Sequence, residues 1–164
     1  MSSVNAITDS GRYAGRMMIK ELGHIVLYVR DLARSRAFYR DALGFREIAG
    51  NSAVALYSGG RTHHELLLIE VGPTAQPIPE GPRVGMYHFA LKVGDSDDEL
   101  RAARDAVVQA GVTIIGASAH VVTHSLFLRD PDGNDLELYI DVPGVDWKND
   151  PSVLMAPVEP LRLR

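Results

Sequence analysis

Between residues 24 and 29 apolar and mixed positions alternate: Ile25, Leu27 and Val29 fall on one side, with His24, Val26 and Tyr28 between them. Neighbours in an extended strand point to opposite faces, so this stretch predicts a strand with one wholly apolar face. Asp31 then offers a helix cap, Ala33, Ala37, Phe38 and Ala42 recur at helical spacing, and Gly44 suits the stop. The order returns further on. Phe89, Leu91 and Val93 alternate, Ser96 and Glu99 read as a capping box, Leu100, Ala103 and Val107 line a helix face, and Gly111 closes it. Both openings read H-x-x-L-x-V, His24 to Val29 and His88 to Val93, and Asp31 and Asp95 follow each two residues later. The chain therefore carries an internal duplication.

Three short strand candidates follow each helix. They are 45–49, 53–58 and 64–71 in the first half, and 113–117, 125–129 and 136–141 in the second. The prediction is an α+β fold: two tandem βαβββ modules forming a curved, mostly antiparallel eight-strand sheet around a metal site, with the helices outside. Module one is expected at 21–71 and module two at 86–142, joined by a Pro- and Gly-rich linker at 72–85. The whole unit spans 19–148. A polar, partly disordered N-terminal arm, 1–18, is expected before it, and a C-terminal tail, 149–164, is expected to wrap the surface with Trp147 as its anchor. "DPDGN", from Asp130, is a turn between two strands.

Composition narrows the partners. A chain of 164 residues with 46% hydrophobic and 23% charged residues is an ordinary single globular domain, and no apolar run approaches the roughly 20 residues that span a bilayer. The net charge of −4, with scattered Lys and Arg, leaves no footprint for nucleic acid. The absence of cysteine removes disulfides and zinc-thiolate sites, and residues 1–20 lack the apolar core of a secretory signal, so a cytoplasmic location is expected. The expected partner is a small molecule.

Face assignment brings in the chemistry. On the first strand His24 opposes the apolar face, on the strand opening module two His88 does, and on the last strand Glu137 opposes Leu136, Leu138 and Ile140. If the sheet curls, these three converge. Two histidines and one carboxylate with open positions are the ligand set of non-haem Fe(II) oxygenases. On the fourth strand one set is His63, Glu65, Leu67, Ile69 and Val71, and the other is His64, Leu66, Leu68 and Glu70. The first ends in an apolar trio, so it is assigned to the helix side, which turns His64 toward the site and Glu65 away. The reverse would give four ligands, His24, Glu65, His88 and Glu137, and a metal-dependent lyase or isomerase.

At these residues the sequence resembles the vicinal oxygen chelate superfamily, which includes glyoxalase I, bleomycin-resistance proteins and extradiol dioxygenases. "GHIVLYVRDLARSRAFYRDALGF" and "FLRDPDGNDLELY" carry the superfamily resemblance, which covers about residues 20 to 148, and "RTHHELLLIE" followed by "YHFALKV" is similar to the extradiol branch. "LFLRDPDGNDLELYID" looks most like catechol 2,3-dioxygenases. The resemblance implies His24, His88 and Glu137 as iron ligands, His64 as the acid-base histidine, and His120 or His124 as a histidine near the substrate. It implies a catechol chelating Fe(II), with Mn(II) as a substitute metal, and dioxygen cleaving the ring beside the diol. A homodimer or higher homo-oligomer is expected. Extradiol enzymes place a Tyr shortly before the final Glu, where this chain has Phe127 and Leu128; Tyr139 and Tyr57 are the candidates to replace it. The alternatives are a glyoxalase-type lyase working with Ni, Co or Zn, and a metal-free drug-binding protein.

Overall fold

A computed structural model describes residues 19–163; the N-terminal arm expected at 1–18 lies outside them. Module one runs β1 (Ile25–Val29), α1 (Leu32–Arg36), a π-helical turn (Ala37–Ala42), β2 (Glu47–Gly50), β3 (Val54–Tyr57) and β4 (Leu66–Glu70). Module two runs β5 (His88–Gly94), α2 (Asp97–Gln109), β6 (Ile114–Ala119), β7 (Thr123–Arg129) and β8 (Asp135–Asp141). The α+β class and both βαβββ modules are as predicted. Hydrogen bonding divides the strands into two sheets, ordered β1-β4-β3-β2 and β5-β8-β7-β6-β9, where β9 (Glu159–Pro160) is an addition. Within each module the first and last strands pair in parallel, and the other pairings are antiparallel.

Capping follows the sequence. The Asp31 carboxylate accepts from the Arg34 amide at 2.9 Å, and the Ser96 hydroxyl accepts from the Glu99 amide, filling donors that a helix start leaves open. The buried face of the first helix differs from the expected one. Phe38 is buried as expected, but Ala33 and Ala37 are exposed, and Leu32, Ser35 and Tyr39 are buried in their place. Past Arg36 the chain makes a π-turn, in which the Leu43 amide bonds the Phe38 carbonyl five residues back at 3.0 Å, so regular helical spacing fails there.

One buried cluster joins Leu27, Val29, Tyr39, Leu66 and Leu68 of module one to Phe89 and Leu136 of module two. A second, containing Leu100, Val107, Leu126, Leu128, Leu138 and Ile140, fills the space under α2. Each fully buried side chain of this kind contributes about 1.5–3 kcal/mol. Polar contacts join the modules on the same side: Arg34 reaches Asp132 at 2.8 Å, and the Tyr39 hydroxyl donates to Asp130.

Two expectations are corrected here. On β4 the helix-packing residues are Leu66 and Leu68, 1% and 0% exposed, and not Leu67 and Ile69. The parallel ladder sets Leu66 against Ile25 and Leu68 against Leu27; because the strand is apolar on both sides, its alternation carries no contrast. Trp147 does not anchor the tail, being 46% exposed. The tail is held by β9, which pairs with β6, and by Leu161 and Leu163 packing on the second cluster. No helix among the described residues is long and apolar enough to cross a membrane.

Candidate functional site

His88 opens β5 and Glu137 lies mid-β8, one step along on the adjacent strand, because the register sets Ala90 against Glu137. The result is a close pair, with His88 Nε2 3.1 Å from Glu137 Oε2. Two donors each about 2.1 Å from one metal and at right angles stand about 3 Å apart, so this spacing fits two adjacent ligands. Ser125 donates its hydroxyl hydrogen to Glu137 Oε1 and turns the other oxygen to His88. The β7–β8 hairpin register, which sets Ser125 against Tyr139 and Phe127 against Glu137, puts Ser125 on this face. Sequence reading missed Ser125, although the alternation of Ser125 and Phe127 with Leu126 and Leu128 marks it. The second His88 nitrogen, Nδ1, is buried without a partner. The Tyr87 and Phe127 rings stand edge-on to the imidazole, at centroid separations of 4.7 and 5.7 Å.

Module one supplies a second pair. The His64 ring lies 4.4 Å from that of His24, and His63 Nδ1 is 2.6 Å from His64 Nδ1, so one ring donates to the other. His64 escapes strand alternation because β4 becomes regular only at Leu66. Desolvation, then the neighbouring His24 and His63, hold its pKa below the usual histidine value, which favours the neutral imidazole that can accept a proton.

Glu65 precedes Leu66 as His24 precedes Ile25 in the ladder. Its carboxylate is turned into the preceding loop, where the amides of Gly59 and Thr62 donate to it at 2.9 and 3.0 Å. Partial burial works to raise its pKa, but those amides, the Ser58 hydroxyl and Arg61 outweigh it and keep the carboxyl below its usual range.

The two pairs remain separate. Among the described residues no three His, Asp or Glu side chains gather into a group that could hold a metal ion. A cavity of about 860 Å³ opens between the modules, lined by His24 and Glu65 together with Phe89, Leu91 and Ala103, but not by His64, His88 or Glu137. His124 alternates onto the face of Leu126 and Leu128, and its Nδ1 lies 2.6 Å from Asp97 Oδ1 at the start of α2. His120 is half-buried in the β6–β7 turn, its amide donating to the Thr123 carbonyl at 2.7 Å. Neither bonds to the two pairs among the described residues. Tyr139 shares the Glu137 face of β8, whereas Tyr57 is 0% exposed in the core, where burial pushes its hydroxyl to about 12.

Comparison with known proteins adds the family context. The profile of the Glyoxalase/Bleomycin resistance protein/Dioxygenase superfamily matches residues 21–138. A catechol-2,3-dioxygenase of Bacillus subtilis (strain 168) is 36% identical over 130 residues, covering 79% of this chain and 44% of that protein. A biphenyl-2,3-diol 1,2-dioxygenase of Rhodococcus globerulus is 34% identical over 125 residues, covering 73% of this chain and 63% of that protein. The chain thus spans less than two thirds of either relative. The crystal structure of lactoylglutathione lyase from Agrobacterium tumefaciens superposes with a TM-score of 0.57 at 25% identity, over 75% of this chain and 95% of the lyase.

Proposed function

This chain belongs to the glyoxalase/bleomycin resistance protein/dioxygenase superfamily, and from that premise we propose that it is an extradiol ring-cleaving dioxygenase using Fe(II) and dioxygen on a catechol-type substrate. The observation that carries this reading is the division of labour around His64 and Glu65. His64 stands beside His24 with a lowered pKa, while the Glu65 carboxylate is taken up by loop amides. On this reading His24, His88 and Glu137 are the metal ligands, with positions open for substrate and dioxygen, and His64 is the acid-base group.

The His88–Glu137 spacing and the chemistry of the donors fit a divalent metal, and Ser125 holds the carboxylate in orientation. Bound Fe(II) supplies a Lewis acid that eases ionisation of the diol and positions beside it for dioxygen. His64 Nε2 takes the hydroxyl proton and returns one after ring opening. Phe127 and Tyr87 pack edge-on against the His88 ring and hold its orientation. His120 and His124 contribute only if loaded protein draws them inward, since His124 is tied to Asp97. We assign residues 19–148 as the working unit and the cytoplasm as its setting, the latter on a cysteine-free composition.

The glyoxalase-type lyase reading is supported by the equivalent ladder positions of His24 and Glu65 and by the cavity that both of them line and His64 does not. The test is anaerobic loading with Fe(II), then catechol and 3-substituted catechols with dioxygen. Yellow ring-opened product, oxygen uptake and their loss in His88→Ala are expected. Tight binding of Ni, Co or Zn without oxygen uptake overturns the dioxygenase in favour of the lyase.

A further inference from the structure

Resting on the acid-base role proposed above for His64, we infer that His63 is a positioning residue: its Nδ1 accepts a hydrogen bond from His64 Nδ1 and holds His64 in the tautomer whose Nε2 is bare. His63 is the half of the paired histidines to which neither the ligand set nor the acid-base step gives a task.

The chain prepares the contact locally. Adjacent residues of a regular strand point to opposite faces, which would keep two neighbouring imidazoles apart. Residues 61–65 are bent instead, and β4 becomes regular only at Leu66. Three fastenings hold the bend. The Ser58 hydroxyl donates to the Thr62 carbonyl at 2.7 Å, the Glu65 carboxylate accepts from the Gly59 and Thr62 amides, and Arg61 donates to the Gly23 carbonyl at 3.1 Å, next to His24. Three rings are thereby brought into file with His64 in the middle. Its centroid lies 4.5 Å from that of His63 and 4.4 Å from that of His24, whereas His63 and His24 are 6.4 Å apart.

The atoms in contact decide the chemistry. His63 Nδ1 and His64 Nδ1 stand 2.6 Å apart. Two nitrogens at that distance share one hydrogen, because two N–H groups would repel and two lone pairs would have nothing to share. The position of that hydrogen fixes the tautomers of both neutral rings. If His63 donated, His64 would carry its hydrogen on Nε2 and have no lone pair there to take a proton. If His64 donates, Nε2 is free. Exposure selects the second case. His63 is exposed and gives its Nε2–H to water, leaving Nδ1 to accept, whereas His64 is half-buried and its N–H needs a protein acceptor, which His63 Nδ1 supplies. A ring held in the wrong tautomer loses most of its catalytic effect even with its geometry intact.

Two substitutions separate this role from simple packing. His63→Asn puts a carbonyl oxygen where His63 Nδ1 stands and keeps an acceptor; His63→Phe keeps a flat ring and removes it. The full-length chain is labelled with heavy nitrogen, and long-range proton–nitrogen correlation spectra at about pH 8.5, well above the ordinary imidazole pKa, read which nitrogen of each neutral ring carries hydrogen. His64→Asn identifies the His64 signals. Wild type and His63→Asn are expected to show His64 protonated on Nδ1. His63→Phe is expected to move that hydrogen to Nε2 and, after anaerobic Fe(II) loading, to lower kcat on catechol about 10- to 100-fold at unchanged KM and iron content, with His63→Asn close to wild type. A wild-type His64 with its hydrogen on Nε2 overturns the inference, as does a tautomer that His63→Phe leaves unchanged or a switch that costs an active enzyme no kcat. The expected switch in a protein that takes up no oxygen with any catechol leaves the hold of His63 on His64 standing and removes the dioxygenase reading.

Discussion

The Tyr39 hydroxyl meets Asp130 Oδ2 at 2.7 Å, buried, across 91 residues of chain. Asp130 is 4% exposed and also accepts from the amides of Asp132 and Asn134. One carboxylate thus shapes the β7–β8 turn and fastens it to the end of the first helix.

Tyr39→Phe removes one donor from a buried carboxylate, and hydrogen bonds to charged groups are worth about 1.5–3 kcal/mol. Urea unfolding should show a loss of that order at neutral pH. Burial first, then Asp130, raises the Tyr39 pKa well above its ordinary value. The sign follows: the contribution is whole below the unfolded value near 10 and declines as pH rises beyond it, because only the unfolded tyrosine ionises readily. Wild-type stability should fall more steeply above about pH 10 than that of Tyr39→Phe; equal slopes count against the buried pair.

Ser125→Ala should lower iron affinity about 10- to 100-fold, the usual effect of removing a group that orients a ligand. Competition with a chelator measures it. Unchanged affinity means that Glu137 is positioned without Ser125.

His64→Asn should cut kcat by about 10²- to 10⁴-fold with iron content unchanged, as expected for an acid-base group outside the ligand set. Glu65→Gln should keep its iron and loosen the 58–62 turn, because its amide oxygen is a weaker acceptor for the Gly59 and Thr62 amides. Loss of iron from Glu65→Gln points instead to the four-ligand lyase.

Leu68→Ala should cost about 2–5 kcal/mol by leaving a cavity in the core, and Ile69→Ala, on the outer side of the same strand, about 1 kcal/mol. Thermal or urea unfolding of the two distinguishes the faces of β4. The opposite ranking would contradict its register with β1.

The modules were legible because their openings repeat and because Asp31, Ser96 and Glu99 act locally through their own caps. His88 and Glu137 were legible as partners because β5 and β8 carry strict alternation, which fixes their faces. Strand β4 of module one was less so. Leu66 to Ile69 are apolar on both sides, and only pairing with β1 decides which side is buried. The π-turn at Ala37–Ala42 is invisible to a regular helical period. His124 follows a long-range partner, Asp97, which no pattern along its own strand announces.

The short strand β9 has a consequence for solution behaviour. It lies along β6 at Ser118 and Ala119 and ends in Pro160, which has no N–H to offer a further strand. The end of β6 at Ser118 and Ala119 is thereby shut to templated growth, a hazard of any bare β edge. Strand β9 acts as a terminator there, and a chain cut before Glu159 should form thioflavin-positive aggregates more readily than the full chain.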